Sequence, residues 1–341
     1  MRRLQHLQRT PHTGVAQQVF VSPSAQNSGL TVGWLTHEEL PPSVTYSVDR
    51  GETVTAKGNT TRYATGSYSS DFIHHCHLAA PPGASVTFTL EGQRFTARVP
   101  PAPPLNVERP VRIAVVGDVG LTSNSETTVG HMAQADADLA LIVGDLSYAD
   151  CAQSRWDAWG RLVQPLASQV PVLTIAGNHE VEGGCGSTMR RVGEEDIGAA
   201  FQAYVSRFRM PSSDTAGSAA PLYYSFSTGG VHIIMLASYR PLAAGSPQLK
   251  WLQAELAAVN RSLTPWLVAA LHAPFYNSND AHQGEHEPEV WRAVGEPLFH
   301  SAGVDFVFAG HVHACASARL TRLPLAPAPA AHTPGSLSLV H

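Results

Sequence analysis

The chain has 341 residues, of which 43% are hydrophobic and 14% charged, and its formal net charge is -5. That length can hold two domains and a sizeable core, and the composition is that of a globular chain and not of a disordered one. The mildly acidic balance has no arginine cluster, so it offers no footprint for nucleic acid or an anionic membrane, and no run of eighteen apolar residues is present to span a bilayer.

Residues 1–15 are polar and basic and read as a disordered lead-in. The stretch Met1–Arg9 lacks an apolar segment and is not a signal peptide as written. From Ala16 the pattern becomes short β-branched and aromatic runs: Gln18–Val21, Leu30–Leu35, Val44–Val48 and Ser85–Leu90. Several strands at that spacing predict a β-sandwich of the fibronectin III or immunoglobulin kind over residues 16–104, closed by the proline-rich linker Val99–Pro104. Within it His74-His75-Cys76-His77 reads as structural, because side chains alternate across a strand and a closed zinc site needs four convergent ligands.

After Val111, apolar runs alternate with helical patterns at Thr127–Ala137, Ser154–Ala167, Ile197–Phe208 and Pro247–Val259, which predicts a layered α/β domain. Tyr223–Phe226 and Val231–Leu236, joined at Gly229-Gly230, predict a hairpin inside it. Of the four cysteines none forms a CxxC pair. Cys151 and Cys185 each follow a presumed site loop, and a bridge between them and two free thiols are both consistent with that placement.

Five of the apolar runs end in side chains that can bind metal. Ile113–Asp118 leads to Gly120, Ala140–Asp145 leads to Tyr148, Val172–Gly177 leads to Asn178-His179-Glu180, Leu267 leads to His272, and Val304–Gly310 leads to His311 and His313. A glycine before the ligand lets the backbone turn at the strand end. Ligands from successive carboxyl ends converge on one crevice in such a domain. Two aspartates, one asparagine, three histidines and a tyrosine are too many for one tetrahedral zinc but suit two ions sharing a carboxylate. Tyr148 discriminates further, because a phenol titrates near about 10 and binds as phenolate in acid only to a strong Lewis acid such as Fe(III).

In that order the motifs Gly-Asp-x-Gly, Gly-Asp-x-x-Tyr, Gly-Asn-His-Glu, His272 and Gly-His-x-His resemble those of the metallophosphoesterase superfamily, specifically the plant-type purple acid phosphatases, over residues 16 to 314. The resemblance implies a fibronectin III-like sandwich followed by a layered α-β-β-α catalytic domain at 105–316. It implies Fe(III) on Asp118, Tyr148 and His313, a divalent Zn, Mn or Fe on Asn178, His272 and His311, and Asp145 as the bridge. His179 then contacts the phosphoryl group. His282, beside Ala281 where the family has a second histidine, is the candidate for substrate contact and leaving-group protonation. The implied activity is acid phosphatase, with a metal-bound hydroxide attacking small phosphate monoesters. A homodimer, a secreted or vacuolar location, and glycosylation at Asn59 or Asn260 are compatible with it.

The pattern departs from the family after His313. The usual Tyr-Glu-Arg is missing and residues 317–341 form a low-complexity tail, which reads as a truncated gene model. Alternatives are an inactive remnant whose sandwich serves as an interaction module, or a phosphodiesterase or phytase of the same superfamily. A protein Ser/Thr phosphatase of the calcineurin kind is disfavoured by Val119-Gly120 and Ser147-Tyr148, which stand where that group has a His and an Arg.

Overall fold

The computed structural model describes residues 15–182, 200–211 and 222–313. The expected lead-in and tail, Cys185 and Cys315 lie outside them, although Cys151 is itself disulfide-bonded. Among the described residues no helix is long and apolar enough to cross a membrane.

The first ten strands are β1 (Gln17–Pro23), β2 (Gly29–Thr36), β3 (Ser43–Val48), β4 (Thr53–Lys57), β5 (Asn59–Thr61), β6 (Ala64–Thr65), β7 (Tyr68–Ser69), β8 (Phe72–Ala79), β9 (Ser85–Leu90) and β10 (Gln93–Arg98). They build two four-stranded antiparallel sheets, ordered β1-β2-β8-β5 and β10-β9-β3-β4, with β6 and β7 paired apart. Val19, Val21, Val32, Trp34, Leu78 and Phe88 fill the space between the sheets. Strand alternation sends Phe20, Leu35 and Ile73 of the first sheet to its other face, where they join the core of the following domain. That is why β1 is buried along its whole length.

The histidines of β8 are all bonded to protein. His74 lies between the hydroxyls of Thr36 (2.7 Å) and Thr60 (2.8 Å) and stacks on Trp34. His75 meets the Arg207 carbonyl at 3.1 Å, His77 meets Ser24 Oγ at 2.8 Å, and Cys76 is a free buried thiol.

The second half has two facing sheets. One is parallel, with β11 (Ile113–Val116), β12 (Leu139–Val143) and β13 (Val172–Ile175) in that order. The other runs β14 (Tyr224–Thr228), β15 (Val231–Met235), β16 (Trp266–Ala270) and β17 (Phe306–Phe308), antiparallel at the hairpin and parallel after it. Both sheets contribute to one central core, while Ile234, Leu236, Leu267 and Leu271 point the other way, onto helices carrying Leu249, Leu252, Trp291 and Phe299. Helices therefore cover the outer faces.

Helices α1 (Ser123–Gln134), α2 (Ser154–Ala167), α3 (Gln202–Arg207) and α4 (Pro247–Ala258) correspond to the predicted ones, α2 with the predicted bounds and the other three with shifted ends. The first starts four residues before Thr127 because Thr122 and Ser125 form a reciprocal capping box. The third is shorter than its apolar pattern: Phe201 is its N-cap and not a residue of its interior. Two short helices, α5 (His286–Val290) and α6 (Glu296–Ala302), are joined by a π-helical turn at Trp291–Gly295. No helix is expected from the sequence pattern over these three segments.

Candidate metal centre

All seven predicted ligands leave carboxyl ends of the two facing sheets. Asp118 follows β11, Asp145 and Tyr148 follow β12, and Asn178 follows β13. His272 follows β16, and His311 and His313 follow β17. The backbone is strained there: Asp118, Asp145, Tyr148, His282 and His311 all have φ between 49 and 72. Side chains with a Cβ avoid that region, and such strain persists only where surrounding contacts over-determine it. Gly144 makes the expected turn, with φ of 90. Gly177 serves a different purpose: a Cβ there would stand 2.1 Å from Asp145 Oδ1, so the residue permits close approach.

The side chains gather into two adjoining groups. In the first, Tyr148 Oη lies 2.8 Å from His313 Nε2 and 3.3 Å from Asp118 Oδ1, and these last two are 3.3 Å apart. In the second, His272 Nε2 lies 3.1 Å from Asp145 Oδ2 and 3.2 Å from Asn178 Oδ1. His311 adds a ring nitrogen, and one ligand atom from each of Asp145, His272 and His311 falls within 4.8 Å of the others. Asp118 Oδ1 is 4.0 Å from His272 Nε2, which brings the groups side by side.

The donor chemistry of the second group calls for a cation. His272 Nδ1 donates to the Val143 carbonyl at 2.8 Å, so a neutral ring turns the lone pair of Nε2 toward two oxygen acceptors. His272 and Asp145 are 0% and 1% exposed, so water cannot separate them. A positive centre reconciles three lone pairs at that distance. A proton serves in the free protein: burial works to lower the His272 titration, but the Asp145 charge and hydrogen bond, with Asp118, push it up to about 9. Burial works to raise Asp145, and the charges and hydrogen bonds of His272 and His179 nevertheless hold it below the usual carboxylate range. Burial, opposed by His272, raises Asp118. The Tyr148 phenol is raised strongly, by burial first and then by Asp145 and Asp118, so a phenolate here requires a nearby cation. The residues present therefore fit a pair of metal ions.

The other two candidates lie at the rim. His179 donates its backbone N–H to Asp145 Oδ1 at 3.0 Å, and its Nδ1 is 2.6 Å from Asp150 Oδ1. His282 Nδ1 is 2.7 Å from Glu285 Oε1, and its ring lies 4.0 Å from that of His311. Three further carboxylates, Asp150, Glu180 and Glu285, support the site, and none has a role assigned from sequence. Asp150 stands in Gly-Asp-x-x-Tyr-x-Asp, and Glu285 stands three residues beyond His282, so both had a local signal. The second contact of Glu285, its Oε2 at 2.7 Å from His311 Nε2, joins residues too far apart to pair from sequence. Glu180 is buried, accepts from the Leu146 and Gly177 amides, and is pushed up to about 8 by burial and the Asp145 charge. A cavity of about 880 Å³ adjoins the first group, lined also by Asn124, Thr128 and Arg155.

Strand-end donors on two facing sheets suit metal ions, and residues 111–315 match the calcineurin-like phosphoesterase family. The chain is 39% identical over 307 residues to purple acid phosphatase 18 of Arabidopsis thaliana, covering 89% of this chain and 66% of that protein. Against purple acid phosphatase 23 of the same plant it is 35% identical, covering 87% of this chain and 73% of the relative. A purple acid phosphatase from yellow lupin (Lupinus luteus) seeds shares the fold, with a TM-score of 0.75 at 22% identity, over 88% of this chain and 59% of that one. The chain belongs to the purple acid phosphatases. It spans just under two thirds of the length of the first two relatives it matches, at 66% and 65%.

Proposed function

We propose that the chain is a dinuclear metal-dependent acid phosphatase acting on small phosphate monoesters. Asp118, Tyr148 and His313 would hold Fe(III), Asn178, His272 and His311 would hold a divalent Zn, Mn or Fe, and Asp145 would serve both. The residues from about 105 to 316 form the catalytic domain and those from 16 to 104 the sandwich. The observation that carries this reading is the buried His272 Nε2, whose lone pair faces the buried Asp145 Oδ2 at 3.1 Å and the half-buried Asn178 Oδ1 at 3.2 Å.

When bound, the ions supply acidified water near neutral pH and polarise the phosphoryl oxygens. The protein's part is orientation and proton handling. Asp150 accepts the Nδ1 proton of His179 and fixes the ring, which leaves Nε2–H of the protonated form to donate to a phosphoryl oxygen. Glu285 does the same for His282, so that Nε2 is the atom that hands a proton to the departing alkoxide. The open side beside Tyr148 gives the ester's organic group room.

The test is metal analysis, a visible absorption spectrum and hydrolysis of p-nitrophenyl phosphate in acid, all on the purified chain. One iron and one divalent ion per chain, with a tyrosinate-to-iron band and turnover, are expected. A colourless, metal-free, inactive protein refutes the proposal.

A further inference from the structure

A buried run of hydrogen bonds joins the sandwich to the candidate site. Tyr63, between β5 and β6, is fixed by two bonds to Ser70, one to its hydroxyl and one from its amide. The Tyr63 hydroxyl accepts from Arg207 Nε at 3.1 Å and donates to Gln153 Oε1 at 3.1 Å. Gln153 Nε2 then donates to Glu182 Oε1 at 3.0 Å. A guanidinium at one end and a carboxylate at the other set the direction of every proton, so the Gln153 amide has a single orientation. Tyr63, Gln153 and Arg207 are 4%, 5% and 7% exposed, which leaves water little chance to compete. Gln153 lies three residues beyond Asp150, and Glu182 three beyond His179. The Gln153–Glu182 bond thus adds to the ties between the loops after β12 and β13, which include Asp150–His179, the His179 amide to Asp145 and the Leu146 amide to Glu180.

We propose that Tyr63 is a positioning residue for His179: the sandwich hydroxyl sets the spacing of loops 148–153 and 177–182 and, through them, the aim of the His179 ring. This gives the sandwich a part in the reaction beyond covering apolar surface. The kinetic consequence rests on the phosphatase reading above, whereas the mechanical one does not.

Tyr63→Phe removes the hydroxyl and keeps the ring packed beside Arg207. Tyr68→Phe is the control, since its hydroxyl joins Asp157 and the Nη2 of the same Arg207, while the Gln153–Glu182 step of the run passes through Tyr63. Hydrogen exchange followed by mass spectrometry on the full chain should show residues 177–182 exchanging about fivefold faster in Tyr63→Phe, as loss of one ordinary hydrogen bond implies, and unchanged in Tyr68→Phe. The value of kcat/KM for p-nitrophenyl phosphate should fall by about the same factor, and in a Gln153→Ala background Tyr63→Phe should add nothing to either reading. Unchanged exchange in Tyr63→Phe, equal acceleration in Tyr68→Phe, or additivity with Gln153→Ala overturns the relay. If the wild type proves inactive, the phosphatase reading falls and the exchange comparison still decides this one.

Discussion

In the metal-free protein a proton occupies the position proposed for a cation, and its energetic signature is measurable. His272 titrates at about 9 against an ordinary 6.5, its burial being overridden by Asp145 and Asp118. A pKa raised on folding contributes stability that is complete below pH 6.5 and is lost as the pH climbs through about 9. At about 1.36 kcal/mol per pH step that rise amounts to about 3 kcal/mol. Glu180, raised to about 8, changes in the same direction, complete below 4.5 and lost through 8. Urea unfolding of chelator-treated protein at pH 6.5 and pH 9, for wild type and His272→Asn, separates the two contributions. The wild type should lose about 3 kcal/mol more than the variant over that interval, and saturating zinc should abolish the difference by taking the proton's place. Equal losses in both proteins would show that His272 carries no extra proton and that the lone-pair argument fails.

Three other changes probe the same structure. Tyr148→Phe should abolish the visible band and weaken iron retention; a variant with wild-type colour means that Tyr148 is no ligand. Gly177→Ala places a Cβ 2.1 Å from Asp145 Oδ1 and 2.5 Å from its backbone nitrogen, so bound metal should fall by about tenfold or more, and retention at wild-type level by metal analysis contradicts the crowding. Arg207→Met leaves Asp157 without the guanidinium it meets at 2.8 Å in a nearly closed interface. Denaturant midpoints should show a loss of about 3–5 kcal/mol, and a change below about 1 kcal/mol would mean that the interface bears little of the load.

The parts of this molecule that could be read from sequence are those in which one short stretch carries both pattern and chemistry. An apolar run ending in Gly-Asp, Gly-His or directly in a His declares a buried strand and its terminal ligand together, which is why Asp118, Asp145, His272 and His311 could be placed at strand ends. Ser154–Ala167 was also legible, because its tryptophans repeat at helical spacing against one core. The start of α1 was missed because the capping pair Thr122 and Ser125 lies ahead of the periodic region. The segment from His286 to Ala302 was missed because Pro288 and Pro297 break it into turns too short for periodicity to show. Glu285 was opaque because its meaning comes from His311, and Tyr63 because it comes from Gln153, ninety residues on. Supporting contacts of that kind are properties of the folded surface and leave no local trace.

The adjacent imidazoles of β8 have a consequence for the molecule in acid. Burial holds His74 at about 4 and His75 at about 3, the second helped by Arg209. Both rings are neutral in the fold at mildly acidic pH, where an exposed imidazole would be charged. The stability tied to that neutrality is present above pH 6.5, drains away as the pH drops, and is gone below about 3. Two uncharged rings in the non-catalytic half thus place a floor under the acidity the whole chain can endure, however acid-tolerant the chemistry at the other end.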